Sequence, residues 1–161
     1  MGKDRPDMEE HDRALLLSVR PRFADSILDG TKAAEIRRQR PAVRPGTLVI
    51  IYATKPVGAI VGTARISNMA HGSPDDIWKR YQAESGISRT EFDNYLIGAA
   101  AAYVLLLDSV QRLEPFLTLE QIRAATTFQP PQGYRYINRN MLHSIVTGHP
   151  VRDSLITMLQ A

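Results

Sequence analysis

The stretch of sequence that decides the fold is Gly30-Thr31-Lys32-Ala33-Ala34-Glu35-Ile36-Arg37-Arg38. In the residues before it, 21–29, the apolar Phe23, Ile27 and Leu28 recur at helical spacing. We therefore predict a short helix that ends at Gly30, because glycine readily takes the left-handed conformation just past a helix end.

After this glycine the pattern changes to that of a strand. Alternation places Ala34, Ile36 and Arg38 on one face and Ala33, Glu35 and Arg37 on the other. Glu35 and Arg37 are then about 6 to 7 Å apart along the chain, and Lys32 can reach them from the turn. One interpretation is an anion-binding or acid/base site, in which the two cations hold a phosphate or an oxyanion and Glu35 orients them. The other is a structural ion pair that closes the end of a sheet.

Further strands are predicted on either side of this stretch. Residues 15–19 form a short apolar run, and residues 47–53 are apolar on both faces, as in a central strand. Residues 57–68 continue as the second strand of a hairpin, and the run that includes residues 103–107 predicts a long buried strand.

Helices are predicted between and after these strands. Ser73 caps one helix, and Ser88 and Glu91 form a capping box for the next, so a helical insertion separates two strands. We expect residues 113–116 to be a connector, Thr118 to cap a short helix, and residues 128–136 to be a proline-rich loop. A helical stretch through Ile137, Met141 and Ile145 and a small amphipathic helix over residues 151–161 complete the chain.

Length and charge bound the possible functions. The chain has 161 residues, and we predict one domain over residues 13–161. Residues 1–12 hold two basic and five acidic side chains, which predicts a disordered acidic tail. The formal net charge of the whole chain is +3, and seven basic residues lie between Arg20 and Arg44. Such a patch is typical of a phosphate-bearing partner, although a solvated surface without a partner has the same composition.

Other residue types argue against several classes of protein. There is no cysteine, so disulfides and thiolate metal sites are excluded. No apolar run approaches the roughly 20 residues needed to cross a membrane, and we expect a cytoplasmic protein that does not contact the membrane. The four histidines lack the spacing of metal ligands, and no phosphate-binding glycine loop is present, so we predict neither a metal nor a cofactor.

The order of these features resembles the ASCH domain family. The features are Gly30-x-Lys32-x-x-Glu35-x-Arg37 after a helix, a Pro45-Gly46 turn before Leu48–Ala53, and the strand Val57–Ile66. The connector at residues 113–116 and the segment at residues 130–136 are similar to those of the longer bacterial members. The resemblance extends over about residues 14–146.

The resemblance implies an α+β fold, in which a small PUA-like β-barrel carries peripheral helices and a helical insertion between strands. It also implies a cleft beside the barrel, lined by Lys32, Glu35 and Arg37 and suited to RNA. Some bacterial relatives are ribonucleases, and one branch is an amidohydrolase that acts on acetylated cytidine. The nucleophilic threonine of that branch is Glu35 here, so the amidohydrolase activity is not expected.

An RNA cleft needs cations for phosphates and flat rings for unstacked bases. We predict as nucleic-acid-binding residues Lys32, Glu35, Arg37, Arg38, Tyr52, Lys55, Tyr134 and Arg135, with Tyr136 as a further ring. The alternative function is a metal-independent ribonuclease, with Glu35 or Tyr52 as base and Lys32 or Lys55 on the phosphate. A third is a protein-interaction module that uses Trp78 and Tyr81. The sequence leaves the oligomeric state open.

Overall fold

The computed structural model describes residues 13–161, so the predicted acidic tail, residues 1–12, lies outside the described residues. The strands are β1 (Arg13–Val19), β2 (Ala34–Arg37), β3 (Leu48–Ala53), β4 (Ala59–Gly72), β5 (Ala102–Thr118) and β6 (Tyr134–Asn138). The helices are α1 (Pro21–Asp29), α2 (Pro74–Ser85), α3 (Arg89–Tyr95), α4 (Leu119–Ala125), α5 (Arg139–Ile145) and α6 (Arg152–Gln160). No helix of residues 13–161 is both long enough and apolar enough to span a membrane. The prediction that these residues make one domain stays a prediction.

The strands form one sheet in the order β2-β5-β4-β3-β1-β6. All neighbours are antiparallel except β1 and β3, which run parallel. The predicted α+β class, the peripheral helices and the helical insertion, α2 and α3 between β4 and β5, are confirmed. The expected closed barrel is corrected: β2 and β6 are the two edges of the sheet, and over residues 13–161 no ladder joins them. The sheet is open.

The capping residues predicted from the sequence set where the helices begin and end. Gly30 has φ 87° and its N–H donates to Ile27 O at 3.2 Å, which ends α1 as predicted. Ser73 caps α2 by accepting from the N–H of Asp76. Ser88 and Glu91 form the predicted capping box at the start of α3.

The core lies on both faces of the sheet because β3 is apolar on both faces. Leu48, Ile50 and Tyr52 face one cluster, which α4, α5 and α6 cover. Val49 and Ile51 face the other, which α1 covers. A third cluster joins Ala34 and Ile36 of β2 to the helical insertion. The alternation predicted for β2 therefore sends its apolar side chains into the core and leaves Glu35 and Arg37 on the other face.

Two segments that the sequence predicts to be connections are strands in the structure. Residues 113–116 belong to β5, which continues to Thr118 beside an equally extended β4. The ladder between these strands contains register shifts, which interrupt the simple alternation that strand prediction relies on. The sequence predicts a proline-rich loop over residues 128–136 and a helical stretch through Ile137. Residues 134–138 instead form β6, whose backbone pairs with β1 along the sheet edge. Only this long-range pairing makes the segment extended.

Candidate functional site

The turn between α1 and β2 is fixed by backbone hydrogen bonds on both sides. The N–H of Lys32 donates to Ser26 O in α1 at 2.9 Å, and the N–H of Ala33 donates to Glu84 O in α2 at 3.0 Å. This turn is thus clamped between two helices. It directs Lys32 toward the C-terminal end of α2.

Lys32 is buried, with 3% of its surface exposed. Its Nζ donates to Ala34 O at 3.1 Å and to Ser85 O, and lies 3.6 Å from Glu35 Oε2. Ser85 is the last residue of α2, where the unpaired carbonyls carry partial negative charge that favours a cation. Burial lowers the pKa of the Lys32 ammonium group below its usual range, and the nearby Glu35 carboxylate opposes this shift.

Glu35 joins the two cations. Its Oε1 lies 3.3 Å from Arg37 Nη2, and the side chains of Glu35 and Arg37 are about nine-tenths buried, at 10% and 11% exposed. Glu35 Oε2 is buried and accepts no hydrogen bond from residues 13–161, and Arg37 Nε is a buried donor without an acceptor there. One acceptor and one donor of this ion pair are therefore left unsatisfied.

The three residues line an open pocket of about 700 Å³. Its walls come from α1 and the residue before it, from β2, from α3 and from the loop before β6. Arg20, Lys32 and Arg37 are its cations, and Glu35 and Glu91 are its carboxylates. Such a volume is ordinary for a site that binds a small molecule or a nucleotide.

Rings and amides complete the lining of the pocket. Phe23 of α1 and Tyr95 of α3 supply aromatic surface, and Asn94 and Gln132 supply amides. Tyr95 is an exposed ring, at 39%. The Phe23 ring is close to charge, since Lys32 Nζ lies 5.2 Å from its centroid. The pocket therefore offers flat surfaces, hydrogen-bonding groups of both kinds and fixed charges.

Five of the eight predicted site residues lie outside this lining, and Tyr52, Arg38 and Lys55 are three of them. Tyr52 is 3% exposed and its ring belongs to the cluster on the opposite face of the sheet, where burial raises its pKa. Arg38 is exposed and donates to Tyr95 O at 2.9 Å and Ile97 O at 2.8 Å, which ties down the end of α3. Lys55 is exposed beside Thr54, which does line the pocket.

Tyr134 and Arg135 diverge because they alternate along β6. Tyr134 packs against the cluster under α1, with its ring centroid 5.9 Å from that of Tyr136, and burial raises its pKa. Arg135 lines a second, shallower pocket of about 510 Å³. Its guanidinium carbon lies over the Phe128 ring, 5.6 Å from the ring centroid. Trp78 and Tyr81, proposed for protein interaction, pack partly against the third core cluster.

Several lining residues were not predicted. Glu91, Asn94 and Tyr95 all come from α3, and the sequence gives a reason for this helix but none for its contact with β2. In the sequence Arg20 stands out only as part of the basic patch, and Phe23 only as an apolar residue of a helix. Within residues 13–161 no group of three or more histidines and carboxylates is arranged to hold a metal ion.

The open α+β sheet and the charged pocket beside its β2 edge define the class of protein: a PUA-like domain with a polar binding pocket. Three comparisons place the chain within that class. The sequence model of the ASCH domain matches residues 17–108. An "ASCH domain-containing ribonuclease" from Zymomonas mobilis is 30% identical over 145 residues, which cover 89% of this chain and 95% of the relative. The crystal structure of ASCH from Zymomonas mobilis has a TM-score of 0.78 at 28% identity, covering 86% of this chain and 96% of that one.

The chain belongs to the ASCH domain family, which confirms the membership predicted from the sequence. A more distant match is the large ribosomal subunit protein uL22 of Ureaplasma parvum, which is 23% identical over 129 residues. The matched segment covers 80% of this chain and 40% of the uL22 protein.

Proposed function

We propose that this protein binds single-stranded RNA and that the pocket beside β2 receives one unstacked nucleotide. The observation that carries the proposal is the lining of the pocket, where Arg20 and Arg37 occur together with the rings of Phe23 and Tyr95. Recognition of single-stranded RNA combines cations for the phosphates with side-chain surfaces on which splayed bases stack. The 30% identity to an ASCH domain-containing ribonuclease supports RNA as the partner.

The cations of the pocket do not share one role, as they would in a simple basic cleft where each contacts phosphate. Lys32 Nζ is already surrounded by two carbonyls and Glu35, so it has little capacity left for a phosphate. The Arg20 side chain is exposed at the rim, and among residues 13–161 it forms no hydrogen bond or ion pair. We therefore assign the phosphate contact to Arg20 and treat Lys32 as the residue that holds Glu35 in place.

The binding test uses a fluorescent ten-nucleotide RNA and polarisation at several salt concentrations. We expect affinity to fall as salt rises, with a slope on the order of −0.7 per phosphate contacted. Arg20→Ala should weaken binding and make this slope shallower by about that amount. Arg152→Ala, an exposed arginine of α6 on the other side of the molecule, is the matched control. Absence of binding by the unaltered protein would refute the proposal.

A second candidate function is RNA cleavage in the same pocket, which the name of the Zymomonas mobilis relative favours. Attack by a ribose 2′-hydroxyl on the adjacent phosphorus forms a 2′,3′-cyclic phosphate as the P–O5′ bond breaks. The step needs a group that takes the 2′-hydroxyl proton, a proton for the leaving 5′-oxygen, and a cation near the phosphate. Two carboxylates, Glu35 and Glu91, and the cations Arg20 and Arg37 line the pocket. Tyr52 and Lys55, the other residues proposed for these roles, do not line it.

Cleavage is tested on labelled single-stranded RNA in the presence of a chelator. We expect cleavage by the pure protein, and its loss in either Glu35→Gln or Glu91→Gln would identify the proton acceptor. Binding measured on the same variants separates catalysis from affinity. Intact binding without cleavage by the unaltered protein would leave RNA binding as the function and reject the nuclease.

A further inference from the structure

We propose that the second pocket, the one that Arg135 lines, holds a phosphate of the same RNA strand whose nucleotide occupies the pocket beside β2. This inference rests on the proposed binding of single-stranded RNA and adds a second subsite to it. The partner is then an oligomer long enough to span both pockets rather than a single nucleotide. Arg135 is the residue that contacts the second phosphate.

The guanidinium group of Arg135 lies against two other residues of the second pocket and keeps free donors. Its carbon is 5.6 Å from the centroid of the Phe128 ring, and its Nη1 donates to Gln129 O at 3.5 Å, longer than a usual hydrogen bond. Among residues 13–161 the group forms no ion pair, and its Nε and Nη2 are neither bonded nor buried. Nε and Nη2 form the edge of a guanidinium that can bind two phosphate oxygens at once.

The lining of the second pocket also favours an anion by its charge. Among the described residues that line it none is an aspartate or a glutamate, and several are amides, such as Asn138 and Asn140. Residues 121–145, which include this whole lining, contain three arginines and no carboxylate side chain. The pocket beside β2, by contrast, has Glu35 and Glu91 beside its cations. An anion therefore meets less repulsion in the second pocket than in the first.

One loop forms a wall of both pockets. Gln132 lines the pocket beside β2 and Gln129 lines the second, so their Cα atoms are at most about 11 Å apart. Residues 130–131 between them are prolines, which restrict the backbone, and the N–H of Ser18 donates to Gly133 O at 2.9 Å. Because RNA carries one phosphate per nucleotide, a strand seated in the first pocket brings another phosphate to the second within a few nucleotides.

The test compares a labelled uridine dinucleotide with a labelled uridine decamer, by polarisation at several salt concentrations. The dinucleotide fills the pocket beside β2 alone, whereas the decamer reaches both. Arg135→Ala should weaken decamer binding about tenfold and make its salt slope shallower by on the order of 0.7, as the loss of one phosphate contact predicts. The dinucleotide affinity should stay unchanged. Arg112→Ala, at an exposed arginine of β5 outside both linings, is the matched control and should change neither affinity.

Two further variants separate charge from fold. Arg135→Lys keeps the charge but loses the two-donor edge, so it should restore the salt slope and recover only part of the decamer affinity. Asn140→Asp adds a carboxylate to the second pocket at an exposed position in the first turn of α5, where an acidic side chain is tolerated. It should weaken decamer binding alone, and it decides the question should Arg135→Ala fail to fold.

The outcomes distinguish this inference from the proposal on which it rests. A folded Arg135→Ala protein with unchanged decamer affinity would overturn the second subsite while leaving RNA binding intact. Equal losses of dinucleotide and decamer affinity in Arg135→Ala would also overturn it, because they would place the effect at the pocket beside β2. No binding of either RNA by the unaltered protein would refute RNA binding itself.

Discussion

The ammonium group of Lys32 has three N–H donors, and three oxygens surround it within the protein. Lys32, which the motif predicts to be a phosphate ligand, thus donates its hydrogen bonds within the protein and links β2 to the end of α2. Glu35 and Arg37 each keep one buried atom without a hydrogen-bond partner among residues 13–161. At the scale of single residues, burial and bonding partners show that Lys32 is held by its own chain, which the sequence pattern does not reveal.

The lowered pKa of Lys32 makes a prediction about stability and pH. Between that pKa in the folded protein and the value of 10.5 expected when unfolded, the unfolded chain binds more protons, so the Lys32 contribution to stability rises with pH. The unfolding free energy of the unaltered protein minus that of Lys32→Met should therefore increase from pH 7 toward pH 10.5, measured by urea denaturation. Lys79→Met, at an exposed position of α2, is the control. A difference that falls with pH would contradict the prediction.

Gly86 follows α2 and packs on Lys32. It has φ +67°, and a Cβ there would lie 3.0 Å from Lys32 Cβ. Gly98 has φ +78° with nothing within 4 Å of its added Cβ. Alanine at either position should cost about 1 to 2 kcal/mol for the left-handed conformation. We expect Gly86→Ala to destabilise more than Gly98→Ala in urea unfolding, because only Gly86→Ala also displaces the lysine stem. Equal losses of stability in the two variants would mean that the Lys32 side chain moves aside without cost.

Helix α3 is the element that turns a charged strand into a pocket. It brings Glu91, Asn94 and Tyr95 to the pocket that Glu35 and Arg37 also line. Two features fix its ends: the capping box at its start, and Arg38, which donates to the carbonyls of Tyr95 and Ile97 at its end. The sequence predicts the first of these, since a capping box is a local pattern. The second depends on a contact between distant segments.

Removal of this cap should affect binding as well as stability. Ser88→Ala takes away the hydroxyl that accepts from the N–H of Glu91 and should lower stability by about 1 kcal/mol. Thr118→Ala removes the equivalent hydroxyl from the capping box of α4, whose buried residues face another core cluster. We expect similar losses of stability from both, in thermal or urea unfolding, and a loss of RNA affinity from Ser88→Ala alone. Equal affinities would show that the position of α3 does not matter to binding.

At the scale of the whole molecule, one core cluster of residues 13–161 shares no residue with the lining of the pocket beside β2. The cluster under α4, α5 and α6 includes Leu155 and Tyr52, and within the described chain none of its residues lines the pocket. The pocket adjoins the other face, where α1 meets the helical insertion. Substitutions in the first cluster should therefore act on folding without changing the chemistry of the site.

Leu155 of α6 allows this division to be tested. It is fully buried, and Leu155→Ala should lower the free energy of unfolding by about 2 to 5 kcal/mol through lost burial and the cavity left behind. The RNA affinity of the folded fraction should remain that of the unaltered protein, measured by polarisation well below the unfolding midpoint. Thr157→Ala, at an exposed position of the same helix, should change neither quantity. Reduced affinity in Leu155→Ala would show that the two faces are coupled.

The sequence by itself determined the features that depend on neighbours along the chain. The end of α1 at Gly30, the caps of α2, α3 and α4, the two apolar faces of β3 and the shared face of Glu35 and Arg37 all follow from local propensity and periodicity. The motif in its strand order was also enough to predict the ASCH family.

Tertiary structure alone decided which segments meet. The extended conformation of β6, the continuation of β5 through residues 113–116 and the open sheet depend on pairing between distant strands. The same holds for the site: Tyr52 turns into the core, and Arg38 binds the end of α3. Arg20, just before α1, and Tyr95, in α3, come to the pocket from separate segments. Periodicity gives the face of its own strand or helix on which a side chain lies. Only packing decides what lies opposite that face.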